Sequence, residues 1–151
     1  MAIDIEVVDV VTPHMLLYPG PTTPADLDLL YAAGGRWVID VRAEFDDAPL
    51  LAQHKDVAYL WNPTDDDGAP KPAEWFERSY QFAKPLLEAD EVGGPHCAAE
   101  CNRGPSTAYY ILRRHWKLDP AAAESAIRIA RPQVGLRYKA DADAAIAALV
   151  K

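Results

Sequence analysis

The chain has 151 residues, of which 50% are apolar and 25% are charged, a composition typical of one folded domain. Its 15 basic and 23 acidic residues give a net charge of −8, which argues against a nucleic-acid or anionic-membrane surface, because such surfaces depend on clustered Lys and Arg. Two cysteines are too few for a disulfide scaffold, and no apolar run is long enough to span a bilayer. We therefore expect a single cytoplasmic domain over residues 1–151, with no nucleic-acid or membrane partner.

The first half of the sequence predicts strands that alternate with helices. Thr23 as N-cap and Pro24 at the first helical position predict a helix that ends at Gly34. A second helix is predicted around residues 48–54. Four segments have the apolar, β-branched composition of strands: residues 5–11, 15–18, 37–41 and 57–61.

The second half of the sequence is mostly helical. Pro105 suits the first position of a helix, which makes Gly104 the predicted N-cap. Before that helix, residues 92–95 contain two glycines and a proline, which disfavours the strand otherwise expected there. Early strands that alternate with helices indicate an α/β fold. Apolar residues repeat at helical spacing in four segments: residues 74–89, 106–116, 120–131 and 140–149.

One segment carries the strongest chemical signal. His96 and Cys97 are followed, six positions after the cysteine, by Arg103 and then by a predicted helix. A helix N-terminus attracts anions through its unpaired N–H groups, and an arginine can hold two oxygens of a tetrahedral dianion. The same field favours the thiolate of a cysteine, which is its nucleophilic form. The segment therefore predicts a nucleophile beside a phosphate-sized anion site.

This Cys-x5-Arg segment, with the preceding His96 and the following helix, resembles the phosphate loop of the cysteine-dependent protein tyrosine phosphatases, and most of all their dual-specificity branch. The resemblance implies their fold, a central, mostly parallel sheet of about four to five strands flanked by helices. It also implies hydrolysis of phosphate monoesters through a cysteinyl-phosphate intermediate, with no cofactor and no metal. Outside the loop, the resemblance extends to residues 37–42, 59–70, 75–78 and 130–138.

The resemblance assigns roles to the residues of the loop. Cys97 is the implied nucleophile, Arg103 the implied phosphate ligand, and His96 an implied hydrogen-bonding residue that orients the loop. Cys101 is either a redox partner for Cys97, through a reversible disulfide, or a small packing residue. The remaining phosphate-binding loop consists of Ala98, Ala99, Glu100, Cys101 and Asn102.

The general acid that the resemblance implies lies in the loop after residues 57–61. Spacing from Pro70 and Trp75 favours Asp66, with Asp67 next and Asp65 last. A carboxylic acid there would protonate the leaving group.

The composition of the loop suggests the class of substrate. The five residues between Cys97 and Arg103 include one acid and no Lys, Arg or His, so a highly anionic ligand is disfavoured. We expect a monophosphorylated partner, either a phosphorylated protein or a small phosphomonoester, with phosphotyrosine ahead of phosphoserine and phosphothreonine. Free phosphate or sulfate is expected to bind the same loop.

Three departures from the family pattern keep alternatives open, and one of them is the interrupted strand at residues 92–95. Glu100 stands where the family usually has glycine, and Gly104 where it usually has a hydroxyl residue, so the chain could bind phosphorylated ligands without turning them over. Glu100 would also be strained if its backbone φ is positive. A weaker alternative is a rhodanese-like sulfurtransferase, because residues 38–42 and the Arg-Gly-Pro sequence that begins at Arg103 also resemble the rhodanese-like and Cdc25-like domains. Those domains have little helix beyond the loop.

Overall fold

The computed structural model describes residues 8–99 and 101–149. Its helices are α1 (Pro24–Ala32), α2 (Ala73–Glu88), α3 (Arg103–His115), α4 (Pro120–Ala130) and α5 (Lys139–Ala148). Its strands are β1 (Asp9–Thr12), β2 (Met15–Leu17), β3 (Gly35–Arg42), β4 (Ala58–Thr64) and β5 (Val92–His96). The strand predicted over residues 5–11 begins outside the described residues, and β1 overlaps its end.

The five strands form one sheet in the order β1-β2-β5-β3-β4. β3 pairs in parallel with β4 and β5, β2 pairs in parallel with β5, and only β1 is antiparallel to its neighbour. The predicted α/β fold, with a mostly parallel sheet flanked by helices, is confirmed. Because β3, β4 and β5 are parallel, the residues that follow Arg42, Thr64 and His96 meet at one edge of the sheet, where open α/β proteins usually bind ligands.

The sheet has a hydrophobic core on each face. On one face, Trp37, Ile39 and Val41 of β3 pack against α2, α3, α4 and α5. On the other face, Val38 packs against α1 and the short helix at residues 48–51. This alternation follows from the two-residue repeat of a strand. Within the described residues, no helix is both long and apolar enough to cross a membrane.

The start of α1 matches the prediction from sequence. Thr23 is the N-cap, and its side chain accepts a hydrogen bond from the backbone N–H of Asp26, while Asp26 Oδ2 accepts one from the backbone N–H of Thr23. This reciprocal capping box satisfies two N–H groups that a helix start leaves unpaired. Gly34, with φ of +101°, then turns the chain into β3.

Two helix predictions need correction. The helix predicted around 48–54 is a 3-10 helix over Ala48–Leu51. The N-cap of α3 is Asn102 and not Gly104, because the helix already begins at Arg103. Pro105 therefore lies third in the helix, where its missing N–H is still one that no helical carbonyl would accept.

The expectation that residues 92–95 disfavour a strand is wrong, because Val92–His96 forms β5 in the middle of the sheet. The two glycines allow close contact with both neighbouring strands. A Cβ on Gly93 would lie 2.1 Å from the carbonyl oxygen of Trp37, and one on Gly94 would lie 2.0 Å from that of Leu16. Glycine is needed here because the neighbouring backbones occupy the side-chain positions.

Candidate active site

The candidate site lies at the edge of the sheet where β3, β4 and β5 end. Cys97 directly follows β5 and Arg103 begins α3, and they are only 3% and 5% exposed. Hydrogen bonding to Glu44 raises the pKa of the Arg103 guanidinium, and the negative charges of Cys97 and Asp66 raise it further. The thiol, the guanidinium and two carboxylates therefore share one electrostatic cluster.

The Arg103 guanidinium is fixed along one edge. Nη1 donates to Glu44 Oε1 at 2.7 Å and to the carbonyl oxygen of Thr64 at 2.9 Å, and Nη2 donates to Glu44 Oε2 at 2.9 Å. Nε is buried and has no hydrogen-bond partner among residues 8–99 and 101–149. A buried N–H without an acceptor is costly, so the Nε edge suits the oxygen of a bound anion.

Glu44 stays ionised while it holds this arginine. The hydrogen bond from Arg103 is the main cause that lowers the pKa of Glu44 to about 2. The carboxylate is therefore charged across the neutral and mildly acidic range, and the pair persists throughout that range.

The N-terminus of α3 faces the same region. Arg103 and Gly104 are its first two residues, and their N–H groups have no carbonyl partner within the helix. The Asn102 side chain does not cap the helix and donates instead to Asp66 Oδ2 at 3.1 Å. The helix end is consequently left with the partial positive charge that stabilises anions.

A buried ion-pair network lies beneath the loop. His96 Nε2 is 2.5 Å from Asp47 Oδ2, and His96 Nδ1 is 3.3 Å from the carbonyl oxygen of Cys97. Arg42 donates from Nε to Asp40 at 3.1 Å and from Nη2 to Asp47 at 2.6 Å. Burial raises the pKa of Asp40, and the interactions with His96 and Arg42 partly offset this increase. The network connects the end of β3 to the backbone of Cys97.

Three residues of this network, Asp40, Asp47 and His96, are of types that bind metal ions, and their potential metal-binding atoms lie within 4.8 Å of one another. The Arg42 guanidinium already bonds to both carboxylates. An arginine in this position supplies the positive charge that a metal ion would bring, so these residues form an ion-pair network and do not fit a metal.

Gly20 lies between this network and the loop. Its N–H donates to the carbonyl oxygen of Ala98 at 3.1 Å. A Cβ on Gly20 would lie 2.5 Å from Arg42 Nη1 and 2.6 Å from the carbonyl oxygen of Cys97. Only glycine lets the segment between β2 and α1 support the loop this closely.

The three candidate aspartates differ in their contacts. Asp66 accepts hydrogen bonds from Asn102 at 3.1 Å, Tyr138 at 2.7 Å and Arg137 at 3.3 Å. Burial acts to raise the pKa of Asp66, but these hydrogen bonds and the charge of Arg103 outweigh it, so the pKa lies below the ordinary value. Of the three, Asp66 alone is bonded to the loop at 97–103 among the described residues.

Asp67 and Asp65 interact mainly with Lys71. The ammonium of Lys71 donates to Asp67 Oδ1 at 3.0 Å and to the carbonyl oxygen of Asp65 at 2.6 Å. The hydrogen bond from Lys71 is the main cause that lowers the pKa of Asp67. These contacts direct Asp67 toward the start of α2.

The remaining loop residues have structural contacts. Cys97 and Cys101 are not joined by a disulfide, and Cys101 Sγ lies 3.7 Å from the carbonyl oxygen of Ala99. The same oxygen accepts a hydrogen bond from Arg131 Nη2 at 3.1 Å. Glu100 lies outside the described residues, and so does the backbone strain expected there.

Glu44 and Tyr138 reach the site without having been predicted as site residues. Glu44 lies 59 positions before Arg103, and Tyr138 lies 72 positions after Asp66. Glu44 did carry a usable signal, because it lies just after the predicted buried strand at residues 37–41, at the end of the sheet where such folds bind ligands. Tyr138 lies in the segment 130–138 to which the resemblance extends, but no local pattern assigned it a role at the site, because its position depends on how the turn before α5 packs.

No protein-family model matches the chain, and no curated protein matches its sequence. Solved structures do match its fold. Human DUSP28 superposes with a TM-score of 0.80 at 20% identity, over 96% of each chain. The human tyrosine phosphatase-like serine/threonine/tyrosine-interacting protein gives 0.77 at 14% identity, over 95% of this chain and 98% of that one. PTPMT1 in complex with PI(5)P gives 0.75 at 16% identity, over 95% and 99%.

Proposed function

Because the chain has the fold of the dual-specificity and protein tyrosine phosphatases, we propose that it hydrolyses phosphate monoesters through a phosphocysteine formed at Cys97. The observation that carries this proposal is the Nε edge of Arg103, which is buried and has no partner among the described residues, on a guanidinium that interacts electrostatically with Cys97. An oxyanion bound along that edge would satisfy the arginine and present its phosphorus to the sulfur.

The first half of the reaction forms the phosphocysteine. The Cys97 thiolate attacks phosphorus, so an S–P bond forms as the bond between phosphorus and the leaving oxygen breaks. Arg103 and the first N–H groups of α3 hold the oxygens on which charge accumulates. Protonated Asp66 gives its proton to the leaving oxygen, which departs as an alcohol or phenol.

The second half releases phosphate. Asp66, now ionised, takes a proton from a water molecule as that water attacks phosphorus. The S–P bond breaks, inorganic phosphate leaves and the Cys97 thiolate is restored. The hydrogen bonds from Tyr138 and Asn102 favour the ionised carboxylate, which is the form that this half-reaction uses.

A monophosphorylated substrate suits the charges around the site, with phosphotyrosine preferred. Glu44 and Asp66 add negative charge beside Arg103, and Arg137 is paired with Asp66 at 3.3 Å. Arg131 is paired with Asp9 at 3.2 Å. A substrate with several phosphates would therefore meet like charge and cations that already have carboxylate partners.

Hydrolysis of p-nitrophenyl phosphate tests the proposed activity. Wild type is expected to release phosphate in a vanadate-sensitive reaction, and Cys97→Ser is expected to release none, because a hydroxyl there is a far weaker nucleophile than a thiolate. Activity retained by Cys97→Ser would overturn the mechanism. A thiosulfate assay tests the sulfurtransferase alternative. Rhodanese-like domains have little helix after the loop, whereas α3, α4 and α5 follow it in this chain.

Substrate preference needs a separate panel. Phosphotyrosine peptides are expected to turn over faster than phosphoserine and phosphothreonine peptides and faster than PI(5)P, the ligand in the PTPMT1 structure. Much faster turnover of the phosphoinositide would overturn the preference while leaving the phosphocysteine mechanism in place.

A second candidate function is binding without turnover. It is favoured by Glu100 and Gly104, which replace the glycine and the hydroxyl residue usual in the family. One of the similar structures is itself described as a phosphatase-like interacting protein. Comparing wild type with Glu100→Gly separates the two functions. A large increase in the rate of p-nitrophenyl phosphate hydrolysis in Glu100→Gly would identify the wild type as an impaired enzyme. Phosphate binding without hydrolysis in both proteins would favour the binding module.

A further inference from the structure

Tyr138 connects, through one hydroxyl, two parts of the acid loop, which is the segment at residues 65–70 that follows β4 and contains Asp66. It is 1% exposed and immediately precedes α5. Its hydroxyl donates to Asp66 Oδ1 at 2.7 Å and accepts a hydrogen bond from the backbone N–H of Gly68 at 3.1 Å. Gly68 has φ of +75°, a conformation that favours glycine, and a Cβ there would lie 2.3 Å from Arg137 Nη2. One buried phenol therefore fixes both the carboxylate and the backbone two residues later.

Asn102 holds the second oxygen of the same carboxylate. Its amide Nδ2 donates to Asp66 Oδ2 at 3.1 Å, and its Oδ1 accepts from the backbone N–H of Arg137 at 3.2 Å. Because Asn102 directly precedes Arg103, this contact ties the acid loop to the phosphate loop. The two oxygens of Asp66 thus have different partners, with Tyr138 and Arg137 at Oδ1 and Asn102 at Oδ2.

The turn before Tyr138 is bonded to the phosphate loop through the backbone. The N–H groups of Gly135 and Leu136 donate to the carbonyl oxygen of Cys101 at 2.9 and 3.2 Å. Leu136 has φ of +49°, a left-handed conformation that is unfavourable for a leucine. Such strain persists where the surroundings enforce it, and here it sets the direction in which Arg137 and Tyr138 leave the turn.

We propose that Tyr138 is the positioning residue for Asp66, holding its carboxyl over the phosphate loop for proton transfer in both half-reactions. This inference rests on the proposed phosphatase function. The hydroxyl donates to the carboxylate, so it also favours the ionised form of Asp66. Removal of the hydroxyl is therefore expected to make the Asp66 side chain more mobile and to raise its pKa. Neither effect is expected if Tyr138 only stabilises the position of α5.

Tyr138→Phe tests the proposal because it keeps the ring and removes only the hydroxyl. Tyr109→Phe is the matched control, since Tyr109 is equally buried and its hydroxyl donates to Asp143 at 2.5 Å, on a different acid. Tyr138→Phe is expected to lower kcat/KM by about tenfold for phenyl phosphate and by less for p-nitrophenyl phosphate, because a better leaving group needs the acid less. In an Asp66→Asn background the same change is expected to have no further effect.

An NMR titration of the Asp66 carboxyl gives a readout that needs no turnover. Its midpoint is expected to rise in Tyr138→Phe and to stay unchanged in Tyr109→Phe, with thermal unfolding of each variant followed in parallel. If wild type hydrolyses phosphate esters and Tyr138→Phe matches Tyr109→Phe in kinetics and titration, only this inference is wrong. If wild type hydrolyses none, the proposed function fails and this role for Tyr138 fails with it.

Discussion

Arg103 and Glu44 form a two-point ion pair, with both terminal nitrogens of the guanidinium donating to the carboxylate at 2.7 and 2.9 Å. The pair leaves the Nε edge of the arginine available, because Glu44 bonds to the two terminal nitrogens. Nε is buried and lacks a partner among the residues that the structure describes. Glu44 is therefore a support for the arginine and does not occupy the edge proposed to bind phosphate. This geometry leads to the first of four predictions.

Glu44→Gln is expected to lower kcat/KM for aryl phosphates by about tenfold, which corresponds to about 1.4 kcal/mol of transition-state stabilisation. The neutral amide holds the guanidinium less firmly than a carboxylate does. Because the pKa of Glu44 is about 2, the carboxylate is ionised from about pH 5 to pH 8, and the loss is expected to be the same throughout. Steady-state kinetics over this range check the prediction.

Glu77→Gln is the control for this prediction. Glu77 also pairs with an arginine, Arg114, at 2.5 Å, and its pKa is likewise lowered to about 2, but it lies on α2. Glu77→Gln is therefore expected to leave kcat/KM unchanged. Tighter phosphate binding by Glu44→Gln would show instead that Glu44 competes with the substrate for the arginine.

Asp66→Asn is expected to reduce kcat by about 10²–10⁴, because an amide cannot donate the proton that the leaving group needs. Asp67→Asn is the matched control, since Asp67 is held by Lys71, and it is expected to retain nearly full activity. The loss is expected to be larger for phenyl phosphate than for p-nitrophenyl phosphate. Equal losses from both substitutions would contradict the choice of Asp66.

The pH dependence of turnover provides a separate test of Asp66. A general acid works while protonated, so activity falls as pH rises through its pKa. Hydrogen bonds from Tyr138, Asn102 and Arg137 hold that pKa below the ordinary value. Wild-type kcat/KM is therefore expected to fall as the pH rises out of the acidic range in which Asp66 is protonated, and Asp66→Asn is expected to abolish that fall. A variant profile parallel to that of wild type would exclude Asp66 as the acid.

Asp47→Asn is expected to lower the free energy of unfolding by about 3–5 kcal/mol, because it removes one partner of a buried charge network. Asp47 is fully buried and contacts Arg42 at 2.6 Å and His96 at 2.5 Å. Asp28→Asn removes a similar contact with a histidine, His54, at 2.6 Å, but from a carboxylate that is 57% exposed. Its expected cost is at most about 1 kcal/mol. Urea denaturation measures the free energy of unfolding of both variants. Equal losses would contradict the inference that burial makes the Asp47 contacts more important for stability than the Asp28 contact.

The sequence predicted those parts of the fold that local patterns determine. The capping box at Thr23 is an interaction between residues three apart, and the apolar repeats of the helices likewise need no distant partner. The strand at Val92–His96 could not be recognised in this way. Its glycines look like a break in the local pattern, and only the backbones of β2 and β3 beside them explain why glycine is required.

The candidate site was predictable where its residues lie together in sequence. His96, Cys97 and Arg103 form one segment, and the turn into α3 brings them to the sheet edge. Glu44 and Tyr138 reach the site through tertiary packing. The Asn102 side chain contacts Asp66 instead of capping its helix, a choice that depends on a loop 36 positions away. Propensity rules describe local contacts and cannot anticipate that exchange.

The central proposal is that Cys97 carries the phosphoryl group during turnover. Rapid acid quench of the wild-type reaction with p-nitrophenyl phosphate, followed by peptide mass spectrometry, tests it most directly. We expect a phosphoryl group on Cys97, with none on Cys101 and none in Cys97→Ser. Phosphate release by wild type without any phosphocysteine, or release that continues in Cys97→Ser, would contradict it.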